Sequence, residues 1–148
     1  MNRILLTFCS LLLATWAQGA IRVSNLNIEG RTDQPLGLDV PSPRLGWQIV
    51  ADEEEKNVRQ TQYHIQVASS RALLEAGQPD LWDTAVDSDQ SQYITYRGKT
   101  LKANQRCFWR VQVAVSTDTG KKGNKSRTIQ TDWSGISEWG VGLLNESH

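Results

Sequence analysis

Cys107, Trp109, Val111, Val113 and Val115 occupy every second position at the end of residues 101–115, with Phe108, Arg110, Gln112 and Ala114 between them. A period of two sends successive side chains to opposite faces of a strand, whereas a helix needs apolar residues three and four apart. Valine at alternate positions also favours the pleated surface, because a β-branched side chain loses rotamer freedom against a helical turn. The stretch therefore predicts a half-buried central strand whose cysteine, tryptophan and valines face the core.

The same alternation recurs along the chain in shorter runs. Ile21-Arg22-Val23 and Leu26-Asn27-Ile28 flank Ser24-Asn25, predicting a first strand with a bulge. A loop follows that holds Pro35, Pro41 and Pro43, three of the four prolines, which cannot donate to a ladder. Leu45, Trp47 and Ile49 then alternate as a second strand. A third spans residues 60–67, with Tyr63, Ile65 and Val67 inward and His64 and Gln66 outward. Between Ser69 and Gly77, hydroxyl caps, good helix formers and a closing glycine predict one short helical turn. Residues 81–86 and 92–96 are two further strands. After the basic tip at residues 117–126, a last strand region runs from Arg127 through Trp133 and Trp139 to Leu144. About seven short strands separated by turn signals predict an all-β chain folded as a single two-sheet β-sandwich.

Residues 1–19 stand apart from this pattern. Arg3 precedes the apolar run from Ile4 to Ala14, and Ala17-Gln18-Gly19 supplies small residues at both recognition positions, so a signal peptide cut before Ala20 is expected. The apolar run is shorter than the roughly 20 residues a membrane span needs, so no membrane attachment is expected after cleavage. Export to the periplasm or the extracellular space follows, with residues 20–148 as the folded domain. That mature chain has 15 basic and 16 acidic residues, a balance that offers no field for nucleic acid. It keeps one cysteine, Cys107, which excludes an internal disulfide.

Few residues carry chemistry. The run Asp52-Glu53-Glu54-Glu55-Lys56-Asn57 reads as a solvated loop. Asp87-Ser88-Asp89 begins like a calcium loop but lacks the glycine and closing glutamate of that pattern. His64 and His148 are the only histidines, too few for a metal constellation, and His64 is expected to face solvent. No cofactor motif, nucleophile elbow or phosphate loop is present. Asn124-Lys125-Ser126 and Asn145-Glu146-Ser147 match the short glycosylation pattern. Trp47, Trp109 and Tyr63 lie on core faces. Trp82, Trp133 and Trp139 sit at strand ends, where an indole can face outward and stack on a sugar ring.

Six stretches together resemble the N-terminal immunoglobulin/fibronectin type III-like domain of bacterial alpha-L-rhamnosidases. They are Gln34-Pro35-Leu36-Gly37-Leu38-Asp39, Pro43-Arg44-Leu45-Gly46-Trp47-Gln48, residues 60–67, Asp80-Leu81-Trp82-Asp83, Phe108-Trp109-Arg110-Val111-Gln112-Val113 and Trp139-Gly140-Val141-Gly142-Leu143-Leu144. In fibronectin type III-like domains a leucine sits six residues before a corner tyrosine, whose place after Leu101 is taken here by Cys107. Against the rhamnosidase family's pattern Cys107 replaces an aromatic, Gly140 falls where an acidic residue is common, and the segment at residues 117–132 is longer than usual. The resemblance implies a non-catalytic accessory module of a glycoside hydrolase, cut or split from the catalytic barrel that carries the acidic residues, so no catalytic residue is assigned. Expected partners are downstream or separately encoded hydrolase domains. The competing expectation is a free-standing glycan-binding or adhesion domain that presents Trp82, Trp133 or Trp139.

Overall fold

The computed structural model describes residues 20–118, 120–123 and 125–144. The expected signal peptide, both glycosylation triplets in part or whole, and His148 lie outside them. Nine elements follow in order: β1 (Ile21–Ile28), β2 (Arg44–Ala51), β3 (Lys56–Ala68), α1 (Arg71–Glu75), β4 (Trp82–Val86), β5 (Ile94–Thr95), β6 (Arg106–Asp118), β7 (Arg127–Gln130) and β8 (Ser137–Gly140). They form two antiparallel sheets. One runs β1-β2-β5, and the other runs β4-β3-β6 with β7 and β8 on the far side of β6. This is the immunoglobulin/fibronectin-like sandwich expected from the sequence.

β6 is the central strand. Every inward residue from Cys107 to Thr117 is buried and every outward one is half-covered. It pairs with β3 over almost its whole length, so Val67 lies opposite Trp109, Ile65 opposite Val111 and Tyr63 opposite Val113. Trp47 and Leu45 from β2 close the core from the other sheet, with Ile21, Val23 and Ile28 of β1 beside them. The predicted bulge in β1 lies between Ser24 and Asn27, where Asn25 takes a φ of 50°.

A buried polar bridge ties the layers together. The Trp47 indole Nε1 on β2 donates to Gln60 Oε1 on β3 at 3.0 Å, and the Gln60 amide donates to the Ser88 and Gln90 carbonyls at 3.0 and 2.8 Å. One side chain thus satisfies a core indole and two loop carbonyls, which would otherwise be costly to bury.

The last strand region is a broken edge. β7 pairs with residues 114–117 and β8 with residues 106–109 of β6. Between them, hydroxyls take over the ladder: Thr131 Oγ1 accepts from Val113 N–H and Ser134 Oγ accepts from Val111 N–H.

Gln66 is on the outer face as expected, yet only 8% exposed, since its amide oxygen accepts two hydrogen bonds from the Arg110 guanidinium at 3.0 and 2.9 Å. Two expectations need correction. The acidic run is not wholly solvated. Glu55 turns back to accept from Thr117 Oγ1 at 3.0 Å and pairs with Arg127, while Lys56 and Asn57 already belong to β3. The strand expected at residues 92–96 shrinks to Ile94–Thr95, since Tyr93 has a φ of 58°, outside the extended region. The helical turn forms as expected, with Ser70 Oγ accepting from Leu73 N–H at 3.2 Å.

Candidate functional site

The second sheet is the wider of the two, so the inner face of its edge strand β4 overhangs the short β5. The overhang leaves a cleft of about 380 Å³ between Trp82, Thr84 and Val86 on one wall and Tyr93, Thr95 and Arg97 on the other. Its floor is Tyr63, and Ile94 and Gln90 complete the lining. Val86 is 37% exposed and Tyr93 is 68% exposed. No Asp or Glu lines this cleft.

Tyr93 and the floor each have a packed neighbour. Arg44 lies 5.4 Å from the Tyr93 ring centre, and its guanidinium is fixed by Glu29 at 2.8 Å. The hydrogen bond from Arg44 holds the Glu29 carboxyl below the usual carboxylate range, against the opposing effect of its burial. Tyr93 therefore keeps a left-handed backbone, rare for a bulky residue, beneath a guanidinium that is itself anchored. At the floor, Tyr63 packs edge-on against Trp47 at 5.4 Å. Burial raises its phenol above the usual range and the nearby Arg97 charge draws it back.

The three strand-end tryptophans do not converge. Trp82 is half-buried, lines the cleft and meets Tyr96 edge-on at 5.3 Å. Trp133 lies on the opposite, outer face of the second sheet, with the Arg110 guanidinium 4.5 Å from its ring and His64 at 4.8 Å. Trp139 is wholly buried. The outward orientation open to it in the sequence is overturned by register: it lies opposite Cys107, and cross-strand partners share a face. Four residues of β8 between loop and glycine gave no period from which that face could be read. Tyr93, the most exposed ring of the site, was missed because residues 92–96 alternate as a strand would.

His64 is on the outer face as expected, yet half-covered by Trp133, with Nε2 2.5 Å from Asp83 Oδ1. Cys107 is a buried free thiol. Burial, together with the Asp80 charge, pushes it up to about 12. Among the described residues, no group of His, Cys, Asp and Glu is placed to hold a metal ion.

A second junction joins two of the sequence motifs. Residues 34–39 lie along residues 139–144: Gly140 N–H donates to the Pro35 carbonyl and Leu38 N–H to the Gly140 carbonyl, both at 2.8 Å. Gly142 N–H donates to the Leu38 carbonyl at 2.9 Å, and Leu144 N–H to Asp39 Oδ1 at 3.3 Å. The path of the chain beyond β8 is thus set by the proline-rich loop. Leu36 and Leu143 stand exposed beside it, at 66% and 71%.

Comparison with known proteins agrees with this architecture. The model of the Rha78A-like, N-terminal immunoglobulin domain matches residues 23–145. An alpha-L-rhamnosidase of Streptomyces avermitilis is 37% identical over 129 residues, which are 86% of this chain and 11% of that protein. One of Formosa agariphila is 35% identical over 115 residues, 77% of this chain and 11% of its own length. The crystal structure of the Streptomyces avermitilis alpha-L-rhamnosidase complexed with L-rhamnose superposes with a TM-score of 0.68 at 36% identity, covering 84% of this chain and 11% of that one. The chain thus spans about 11% of the length of the curated relatives it matches, and that part is their immunoglobulin-like domain, not the catalytic one. The match at residues 23–145 and the shared two-sheet architecture make this chain a member of the Rha78A-like N-terminal immunoglobulin domain family.

Proposed function

We propose that this sandwich is the non-catalytic, exported accessory module of an alpha-L-rhamnosidase-type glycoside hydrolase. Its parent activity is hydrolysis of terminal alpha-L-rhamnose from glycans, and its partners are the hydrolase domains that follow it or are encoded apart. The observation that carries this reading is the match of residues 23–145 to the N-terminal immunoglobulin domain of far longer rhamnosidases. Two features of the molecule support it. Glycoside hydrolysis ordinarily uses two carboxyl groups flanking the scissile bond, and the cleft has none. The hydrogen-bonded seat of residues 139–144 on residues 34–39 fixes the direction in which a following domain is presented.

The test is an assay of the purified chain on an aryl alpha-L-rhamnoside. The reading predicts no release above background. Turnover by the chain itself overturns it.

A further inference from the structure

We propose that the cleft between β4 and β5 binds an acidic saccharide, with a uronate ring stacked on Tyr93 and its carboxylate paired with Arg97. The inference stands on side chains of this module and does not depend on which hydrolase it serves.

Three observations meet in the cleft. Tyr93 is a large exposed ring in a backbone conformation that costs free energy, pinned by the Arg44 and Glu29 pair behind it. Stacking platforms of this kind suit the C–H face of a sugar ring, and the half-buried Trp82 offers a second one across the cleft. Second, Tyr63 is more than nine-tenths buried, yet its hydroxyl has no hydrogen-bond partner among the described residues. It is also absent from the polar atoms sealed in the core, which are Trp109 Nε1 and Trp139 Nε1, so its remaining exposure opens into the cleft it floors. A hydroxyl that opens into a cleft without a protein partner is free to donate to, or accept from, a ligand that enters it.

Third, the charge in the cleft is uncompensated. Arg97 has no carboxylate partner among the described residues. The acidic groups nearest along the chain are turned away: Asp83 meets His64 and Asp87 accepts from Gln62 on the outer face of the sheet, and Asp89 pairs with Arg59. A guanidinium matches a carboxylate in a planar, two-bond geometry, which selects a uronate over a neutral sugar. At about 380 Å³ the cleft lies within the range of small-ligand sites, roughly 300–1,000 Å³.

The experiment is calorimetric titration of the 148-residue chain with trigalacturonate, maltotriose and a triaspartate peptide. The proposal predicts saturable binding of trigalacturonate, weakened by salt, and much weaker binding of the other two. Arg97→Gln and Tyr93→Ala each lower the trigalacturonate affinity about tenfold or more, and Tyr63→Phe, which removes only the hydroxyl, lowers it several-fold. Melting curves confirm that the variants are folded. Absence of saturation with trigalacturonate, an Arg97→Gln variant that binds like the parent chain, or equal binding of maltotriose or triaspartate each overturns the proposal.

Discussion

Gly140 lies against the backbone of Leu36 so closely that a Cβ at position 140 would meet the Leu36 carbonyl oxygen, carbonyl carbon and Cα, the farthest at 3.0 Å. These two residues belong to separate sequence motifs, which the close approach and its hydrogen bonds bring together. The proline-rich loop is thereby brought directly onto the strand.

Gly140→Ala therefore forces residues 34–39 away from β8 and breaks the hydrogen bonds to Pro35 and Leu38. A cost of about 1–3 kcal/mol is expected, the usual effect of overpacking. Gly37→Ala is the matched control, since nothing lies within 4 Å of a Cβ there. Urea melts of the two variants should separate clearly, and equal stability would show that the loop yields without loss.

The two core indoles of β2 and β6 differ in one respect. Trp47 Nε1 donates to Gln60, whereas Trp109 Nε1 is buried without a partner among the described residues. Trp109→Ala should cost roughly 3–5 kcal/mol through the cavity it leaves. Replacement by phenylalanine distinguishes the indoles: Trp47→Phe strands the Gln60 oxygen, so it should cost about 1–3 kcal/mol more than Trp109→Phe. Equilibrium denaturation measures the difference, and equal losses would contradict the inter-sheet bridge.

Cys107 and Tyr96 give the fold an alkaline limit. Burial raises the thiol from its ordinary 9.0 to about 12, and it raises the Tyr96 phenol from 10.0 to about 12. Below about pH 9 both groups are protonated in the folded and unfolded chains alike, and their full contribution to stability is present. Above that, the unfolded chain ionises first, so stability falls as pH rises toward 12. Denaturation midpoints should be level between about pH 7 and pH 8.5 and decline by pH 10.5. Cys107→Ala should shallow that decline, with the Tyr96 contribution remaining. Alkylation of the native thiol at pH 8 should proceed only as fast as the chain opens.

The outer face of the second sheet is a different kind of surface. His64 touches both Asp83 and Trp133, and all three remain partly exposed. Such a pair is worth within about 1 kcal/mol, so His64→Ala should leave the melt nearly unchanged while shifting the fluorescence of Trp133. A large loss of stability would mean that this face is part of the core.

Local alternation made most of the scaffold readable. β6 from Cys107 onward, the bulge at Asn25 and the capped turn after Ser70 each carry their own signal in a few adjacent residues. What stayed hidden depends on partners distant in sequence. Gln66 is buried by Arg110, 44 residues away, and Glu55 by Thr117, 62 residues away. Trp139 turns inward only because β8 registers with Cys107. The cleft was equally invisible, since it arises from the unequal width of two sheets and from a tyrosine whose left-handed backbone breaks an otherwise regular strand pattern. Of the three strand-end tryptophans, only Trp82 reaches it.

The accessory role is tested most directly by exchange. The immunoglobulin-like domain of the Streptomyces avermitilis alpha-L-rhamnosidase is replaced by residues 20–144 of this chain, beside a version with that domain deleted, and rhamnose release and thermal melting are followed for both. The account predicts that the exchanged enzyme keeps its activity and melts near the parent while the deleted one loses stability. An exchanged enzyme as impaired as the deleted one, or a deleted one indistinguishable from the parent, would contradict it.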